Sequence, residues 1–138
     1  MTGTYKHSLD SKGRVFVPAK LREELGDIFY ITISGESYLC AYSAENWNFI
    51  SSRIAAMPYS KQKKMRPMFA YAARCETDPQ GRILIPQNLR NYAGMEKAVT
   101  VIGCNNHAEL WASESWDSSF ETGAWSQNFA EALEELEF

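Results

Sequence analysis

Two short segments of the chain carry the same residue types at the same spacing, and those residues could bind an anion. The first segment is Asp10-Ser11-Lys12-Gly13-Arg14 and the second is Asp78-Pro79-Gln80-Gly81-Arg82. Asp favours the first position of a type I turn and Gly the fourth, so each segment predicts a tight turn followed by an arginine. The planar guanidinium of arginine can engage two acceptors on a guanine base or a phosphate. An ion pair that only stiffens the turn is the competing interpretation, and the two roles are compatible.

Enzymatic and metal-binding chemistry has little support in the sequence. We find no paired catalytic carboxylates on a predicted helix, no Gly-x-Ser-x-Gly and no phosphate loop, so we expect no enzyme activity, cofactor or small-molecule substrate. His7 and His107 are far apart, and neither lies near another ligand at metal spacing, so we expect no metal site. Cys40, Cys75 and Cys104 form no C-x-x-C and favour a reducing compartment over a disulfide framework.

The two loops belong to a longer internal repeat. Residues 78–94 match residues 10–26 at an offset of 68, with seven of 17 positions identical. After one inserted residue, the segment from Trp111 to Trp116 matches that from Tyr42 to Trp47. Two copies are too few for a solenoid, and a unit of this length cannot build a stable core alone. The repeat therefore predicts a pseudo-two-fold pair whose copies bury their strands against each other.

Each copy predicts a strand, the turn, a second strand, a helix, a hairpin and a further helix. The apolar runs 15–17 and 83–85 predict strands buried on both faces. Pro18 and Pro86 predict the first residue of a helix, with Gly26 and Gly94 as its C-terminal caps.

The second part of each copy predicts the hairpin. Residues 28–33 and 38–42 form its strands in the first copy, and residues 98–102 and 108–111 form them in the second. Gly35 and Gly103 are expected in the turns, and short helices are expected from about Ala44 and Ser113. The chain then divides into a first unit (1–56), a helical linker (57–76), a second unit (77–118) and an acidic amphipathic C-terminal helix (119–138).

The linker and the tail differ from the repeat. We predict a helix break at Pro67, which would be the first residue of a new helix through about Arg74. A basic cluster precedes it, and such clusters are more often solvated surface than binding sites; its members are Lys61, Lys63, Lys64 and Arg66. The tail carries an apolar stripe at helical spacing, which the body or a neighbouring subunit must cover. Its residues are Trp125, Phe129, Ala132, Leu133, Leu136 and Phe138.

The charge is unevenly distributed along the 138 residues. The formal net charge is −3, with 14 basic and 17 acidic residues. All the basic residues precede Glu109, so residues 1–108 carry +5 and residues 109–138 carry −8. This asymmetry is typical of a basic body with an acidic tail, although a solvated acidic helix without a partner is equally compatible with it. No apolar run is long enough for a membrane helix, and we expect no secretory signal at the start.

The duplicated Asp-x-x-Gly-Arg loop, each copy followed by three apolar residues and Pro, resembles the MraZ family of bacterial transcriptional regulators over about residues 5–118. The resemblance implies an α+β fold, a duplicated SpoVT/AbrB-like swapped-hairpin β-barrel with pseudo-two-fold symmetry and short peripheral helices. It also implies a ring-shaped homo-oligomer that binds short direct repeats in double-stranded DNA. Repression of the division and cell-wall cluster, including the protein's own gene, and a location in the cytoplasm and over the nucleoid are implied too.

The same resemblance assigns roles to individual residues. Arg14 is implied as the DNA-contacting arginine and Arg82 as its counterpart, while Lys12 and Lys6 add attraction to the phosphates. Loop-structuring roles fall to Asp10, Gly13, Asp78 and Gly81. Because the second copy has Gln80 in place of Lys12 and lacks a basic neighbour such as Lys6, we expect the first loop to contribute more.

An antitoxin-like interaction module is the alternative function. AbrB-like barrels also occur in antitoxins, where a C-terminal segment clasps a toxin, and the apolar stripe of the tail would do so here. The duplication distinguishes this function from that of a DNA-binding regulator, since such antitoxins usually carry one copy and dimerise.

Overall fold

The computed structural model describes residues 1–137 and has an α+β architecture built on antiparallel strands. The strands are β1 Thr4–Ser8, β2 Arg14–Phe16, β3 Ile28–Ile33, β4 Leu39–Ser43, β5 Ala73–Glu76, β6 Arg82–Leu84, β7 Ala98–Cys104 and β8 His107–Ala112. The helices are α1 Ala19–Leu25, α2 Ala44–Ala55, α3 Tyr59–Gln62, α4 Arg66–Ala70, α5 Gln87–Tyr92, α6 Ser113–Glu121 and α7 Ala124–Glu135, with a 3₁₀ turn at Lys63–Met65 between α3 and α4.

The two copies of the repeat exchange strands. A six-stranded sheet has the order β1-β7-β8-β4-β3-β5, and β2 pairs with β6 in a separate ladder. The first strand of each copy thus pairs with the hairpin of the other, β1 with β7 and β5 with β3. The β4–β8 and β2–β6 contacts also join one copy to the other. The predicted mutual burial of the copies is confirmed, because three kinds of pairing cross between them.

The core contains matching residues from both copies. Val15 and Ile83 are each 1% exposed and lie opposite one another in the β2–β6 ladder. The prediction that these strands are buried on both faces is wrong, since Phe16 and Leu84 are 46% and 55% exposed. A strand that covers the core with one face exposes every second residue.

The prolines and glycines bound the short helices as expected, with a shift of one residue. Pro18 and Pro86 are the N-caps of α1 and α5 rather than their first residues, because their ψ values of 137° and 150° are extended. Gly26 is the C-cap of α1 with φ of 84°. Gly94 follows the C-cap of α5, where the Gly94 and Met95 amides donate to the carbonyls of Asn91 and Arg90 in a Schellman arrangement.

The hairpin of the second copy turns later than predicted. Gly103 lies within β7, and the turn falls at residues 105 and 106, where Asn105 adopts a φ of 64°. Asn tolerates this left-handed conformation better than most residues do. Gly103 has a different purpose, since a Cβ there would collide with the backbone of Met1 and Thr2, which crosses the strand.

The helices after the hairpins start at the predicted positions, Ala44 and Ser113. The Ser43 side chain caps α2 by accepting the amide hydrogen of Asn46 at 3.1 Å. Helix α6 has no side-chain cap because its N-cap residue is Ala112, and the hydroxyl of Ser113 bonds that of the buried Thr100 at 2.8 Å.

The linker breaks near Pro67, although not as predicted. Helix α4 begins at Arg66, with Pro67 in its first turn, where a missing amide hydrogen costs no helical bond. The expected continuation to Arg74 is wrong, because α4 ends at Ala70 and Ala73–Glu76 forms β5 against β3. The sheet pairing of the second copy therefore starts inside the predicted helical linker.

The expected C-terminal helix is present as α7, which begins at Ala124 rather than at residue 119, and the shorter helix expected from Ser113 precedes it as α6. Gly123, with φ of 72°, separates α6 from α7. Helix α7 has no buried residue, and Trp125, Phe129 and Leu136 are 45%, 56% and 67% exposed. The body of the same chain therefore does not cover the apolar stripe; Phe138, which the sequence analysis included in it, lies outside the described residues. No helix within residues 1–137 is long and apolar enough to span a lipid bilayer.

Candidate nucleic-acid interface

Both loops fold in the same way around their aspartate. In the first loop the Gly13 amide donates to the Asp10 carbonyl at 3.0 Å, closing the predicted turn. Oδ1 of Asp10 accepts the amide hydrogens of Lys12 and Arg14, both at 2.9 Å. Oδ2 accepts Nε–H of Arg14 at 2.7 Å. The aspartate therefore fixes the turn and orients the arginine.

The second loop repeats each of these bonds. The Gly81 amide donates to the Asp78 carbonyl at 2.9 Å, and Oδ1 of Asp78 accepts the amide hydrogens of Gln80 and Arg82 at 2.9 Å. Oδ2 of Asp78 accepts Nε–H of Arg82 at 3.0 Å. The ion pair that competed with the DNA-contact interpretation is present in both copies. The ion pair within each loop uses Nε of the arginine, so it leaves the Nη nitrogens of the guanidinium for other partners.

These bonds lower the pKa of both aspartates. The backbone bond from Arg14 is the largest influence on Asp10, and the Arg14 side chain and Lys12 amide add to it against desolvation, bringing its pKa to about 2. The backbone bond from Arg82 likewise lowers the pKa of Asp78. Both carboxylates are therefore charged throughout the physiological range.

The two loops are also tied to each other. The Val17 amide donates to the Gly81 carbonyl at 2.9 Å, and the Ile85 amide donates to the Gly13 carbonyl at 3.0 Å. Nη1 of Arg82 lies 3.5 Å from Oδ2 of Asp10, so one carboxylate contacts the arginines of both copies.

Each loop glycine lies under an arginine from the other copy. A Cβ at Gly13 would approach Cζ of Arg90 to 2.8 Å, and a Cβ at Gly81 would collide with the guanidinium of Arg22. Both glycines also have a positive φ, 81° and 82°. The left-handed backbone favours glycine at these positions, and an added Cβ would also displace the guanidinium that lies over the loop.

Arg22 and Arg90 were missed as interface candidates by the sequence analysis. They are equivalent in the repeat, each lies on the helix after its loop, and Nε of Arg90 also donates to the Ile85 carbonyl at 2.9 Å. The signal for them was their identity at the offset of 68, which they share with the loop residues.

The exposed face of the β2–β6 ladder alternates charge and apolar surface. Arg14 pairs with Leu84 and Phe16 pairs with Arg82, so these four side chains share the face opposite the buried Val15–Ile83 pair. His7 of β1 stacks on the Phe16 ring at a centroid distance of 6.0 Å. The arrangement is a two-stranded ribbon in which Arg14 and Arg82 lie diagonally opposite each other.

The additional lysines differ in their placement. Lys12 is exposed within the first loop, as Gln80 is within the second. Lys6 lies on β1 next to His7, so its side chain points away from the face on which His7 meets Phe16. Its Nζ pairs with Asp117 of α6 at 3.4 Å. The structure thus brings Lys12, but not Lys6, together with the two arginines.

Contrary to the expectation from the sequence, the second copy has an equivalent of Lys6, which is Arg74. Lys6 pairs with Thr100 across β1–β7, and Arg74 pairs with Tyr30 at the corresponding position of β5–β3. Arg74 is exposed and lies 4.0 Å from Glu76. The predicted helix in the linker concealed this equivalence, because it placed Arg74 outside the sheet.

His107, contrary to the expectation from the sequence, lies near other potential metal ligands. In the β7–β8 hairpin, ligand atoms of Cys104, His107 and Glu109 all lie within 4.8 Å of one another. The signal was the Cys-x-x-His-x-Glu spacing, which becomes compact only when a two-residue turn separates the strands.

The geometry defines a duplicated α+β body with a paired arginine-loop surface, and comparison with known proteins agrees with it. A family model described as "MraZ protein, putative antitoxin-like" matches residues 1–66 and 68–136. A transcriptional regulator MraZ of Acetivibrio thermocellus is 45% identical over 119 residues, covering 84% of this chain and 83% of the relative. A transcriptional regulator MraZ of Caldicellulosiruptor saccharolyticus is 40% identical over 140 residues, covering 99% and 98%.

The chain belongs to the MraZ family. Its class is therefore that of a transcriptional regulator and not that of an enzyme.

Proposed function

We propose that this chain is a sequence-specific DNA-binding repressor whose two Asp-x-x-Gly-Arg loops contact the DNA together. The observation that carries the proposal is the β2–β6 ribbon, which places the half-buried Arg14 and Arg82 on one face while their aspartates hold Nε. Metal ions, cofactors and small-molecule substrates have no part in this function.

The ribbon has dimensions and chemistry suited to a DNA groove. The major groove of B-DNA admits a two-stranded β-ribbon, and arginine is the residue most often found bonded to the O6 and N7 acceptors of guanine. Phe16, half-exposed between the arginines, supplies an apolar surface for a thymine methyl group. Lys12, and Arg22 and Arg90 behind the loops, add positive charge for the phosphates.

The fold proposed for this function is the duplicated SpoVT/AbrB-like barrel with swapped hairpins. Its support is the exchange of β1 and β5 between the copies, together with the β4–β8 pairing that joins the two hairpins. In this arrangement one chain supplies both halves of a pseudo-two-fold DNA-binding unit.

Binding is proposed to require a ring of subunits on short direct repeats. One protomer makes few base contacts, so its affinity is low, and successive protomers gain from the effective concentration that the ring provides. The exposed apolar stripe of α7 supports assembly, since a neighbouring subunit can cover what the body leaves exposed. Size-exclusion chromatography with light scattering should give a multimer, and a monomer that still binds tightly would contradict this part of the proposal.

The proposed target is DNA upstream of the division and cell-wall cluster, including the protein's own gene, so that the protein acts in the cytoplasm and over the nucleoid. The acidic tail lies outside the DNA contact and discourages non-specific binding. The test is a mobility shift with this upstream DNA and a duplex in which the direct repeats are scrambled. The proposal predicts salt-sensitive binding that is lost with the scrambled duplex, and equal binding to both would refute it.

An antitoxin-like role is the second candidate, and the uncovered stripe of α7 favours it. Trp125 and Phe129 are large apolar side chains that are exposed on a regular helix. A helix that binds a partner protein requires such exposed apolar side chains. Truncation after Thr122 distinguishes the candidates. A repressor ring that uses α7 loses its assembly state and its tight binding of repeats, whereas an antitoxin-like module keeps its assembly state and loses only its partner protein.

A further inference from the structure

The tip of the β7–β8 hairpin gathers a sulfur, a nitrogen and a carboxylate oxygen outside the arginine loops. Cys104 ends β7, His107 begins β8, and Glu109 follows two residues later on the same side of the strand. The three ligand atoms lie within 4.8 Å of one another. Glu109 is only 8% exposed, so its carboxylate is not one of the solvated acidic groups that cluster on protein surfaces.

Two neighbouring side chains orient the ligands. Nδ1 of His107 lies 3.0 Å from Oδ1 of Asn106, and this contact holds the imidazole ring in place. Oε1 of Glu109 accepts the indole hydrogen of Trp111 at 3.0 Å. Bonds of this kind, from the far side of a histidine or carboxylate ligand, are what hold ligands toward a metal ion.

The orientation places two ligand atoms face to face. Nε2 of His107 lies 3.2 Å from Oε2 of Glu109, which is hydrogen-bond distance. A metal ion bound between these atoms would replace the hydrogen that joins them. In a tetrahedral zinc site, nitrogen and oxygen ligands about 2.1 Å from the ion are about 3.4 Å apart, which is close to the separation seen.

The first copy of the repeat has no corresponding cluster. Under the strand pairings, Ser34, Tyr38 and Cys40 occupy the positions equivalent to Cys104, His107 and Glu109. The cluster is also remote from the DNA-contact face. It lies at the far end of β7 from Ala98, which pairs with Ser8 just before the first loop, and a strand of this length spans about 20 Å.

We propose that Cys104, His107 and Glu109 form a binding site for one divalent transition-metal ion of the zinc class, with water as the fourth ligand. Mixed sulfur, imidazole and carboxylate donors suit zinc. The bound ion would cross-link the two strands of the hairpin at its tip and stabilise the folded chain by mass action.

The test is a titration of the full-length, chelator-treated chain with CoCl₂, followed by displacement with ZnCl₂. A thiolate-to-cobalt charge-transfer band should grow to one ion per chain and disappear when zinc is added. Cys104→Ser should remove the band, and His107→Gln should weaken cobalt affinity at least about tenfold. Asn106→Ala removes no ligand, yet it should weaken the cobalt affinity by about tenfold because the imidazole of His107 loses the contact that orients it.

Matched substitutions elsewhere serve as controls. Cys75→Ser and His7→Gln change the same residue types outside the cluster, and both should leave cobalt binding as in the unmodified chain. Circular dichroism verifies that each variant is folded. The absence of a charge-transfer band in the unmodified chain would overturn the proposal, and so would a folded Cys104→Ser chain that keeps the band.

Discussion

Asp10 and Arg82 come from different copies of the repeat, yet Oδ2 of Asp10 lies 3.5 Å from Nη1 of Arg82. The same oxygen accepts Nε–H of Arg14 at 2.7 Å. Among residues 1–137 the reciprocal contact, from Arg14 to Asp78, is not formed. The pseudo-two-fold pair is therefore asymmetric: Asp10 engages an Nη nitrogen of Arg82, whereas Arg14 keeps its Nη edge available.

This asymmetry predicts a ranking of the two arginines. Arg14→Ala should reduce affinity for the upstream repeats by about tenfold to a hundredfold per contact, the value of a good bidentate base contact. Arg82→Ala should reduce it less, because one Nη nitrogen is already engaged and its loop carries Gln80 in place of Lys12. Fluorescence anisotropy with a labelled duplex measures both.

Arg53→Ala is the control for this ranking. Arg53 is an exposed arginine that lies over the Phe49 ring on α2, a helix that packs on β3 and β4. Its removal changes the net charge equally and should leave specific binding nearly unchanged. An Arg82→Ala loss equal to or larger than that of Arg14→Ala would show that the loops are ranked wrongly.

Lys12→Gln makes the first loop resemble the second at this position. If Lys12 neutralises a phosphate, the substitution should lower the slope of log affinity against log salt by about 0.9 per protomer bound. Specificity between intact and scrambled repeats should be retained, because a phosphate contact carries no sequence information. An unchanged slope would show that Lys12 does not contact a phosphate.

The loop glycines offer a stability prediction. Gly81→Ala combines a φ of 82° with a collision against Arg22, and it should cost about 1–3 kcal/mol in the free energy of unfolding. Gly35→Ala has a φ of 89° with no atom within 4 Å of the added Cβ, so it isolates the backbone cost and should be milder. Urea unfolding compares the two, and equal losses would mean that the Arg22 contact is readily displaced.

Stability should fall in acid as Asp10 is protonated. Its pKa is lowered from 3.8 to about 2 in the folded chain, so the folded state favours the charged form. A lowered pKa gives stability that is complete above the unfolded value and is lost as the pH falls from about 4 to about 2. In Asp10→Asn the pH dependence over that window should be shallower, and a curve identical to that of the unmodified chain would contradict this role.

The sequence predicts the parts of the fold that repeat. Asp10, Gly13 and Arg14 have local roles, in a turn and its following strand, so their spacing alone indicates their structure. The identities that extend beyond the loop, including Arg22 and Arg90, are explained only by contacts between copies, which local spacing does not reveal.

The errors share a physical cause, which is tertiary context overriding a local pattern. Arg74 lies in a segment predicted as helix, but β3 offers it an edge and it joins the sheet. Gly103 is predicted as a turn residue from the sequence. In the structure its missing side chain leaves space for the backbone of the N-terminal segment. The cluster at His107 depends on the position of a hairpin turn that the sequence misplaces by about two residues.

The central claim is that DNA is bound by the paired loops and not by the other basic surface of the chain, the linker cluster of Lys61, Lys63, Lys64 and Arg66. That cluster is partly engaged with Tyr59, since Nζ of Lys63 lies 5.3 Å from the ring centroid and Nη2 of Arg66 donates to the hydroxyl at 3.3 Å.

The most direct measurement is anisotropy of the labelled upstream duplex with two folded, assembled variants. Arg14→Ala with Arg82→Ala removes two positive charges from the loops, and Lys61→Gln with Lys64→Gln removes two from the linker. We expect the loop variant to lose repeat-specific binding and the linker variant to bind within about threefold of the unmodified chain, because the linker supplies only general electrostatic attraction. Specific binding that survives in the loop variant and is lost in the linker variant would contradict it.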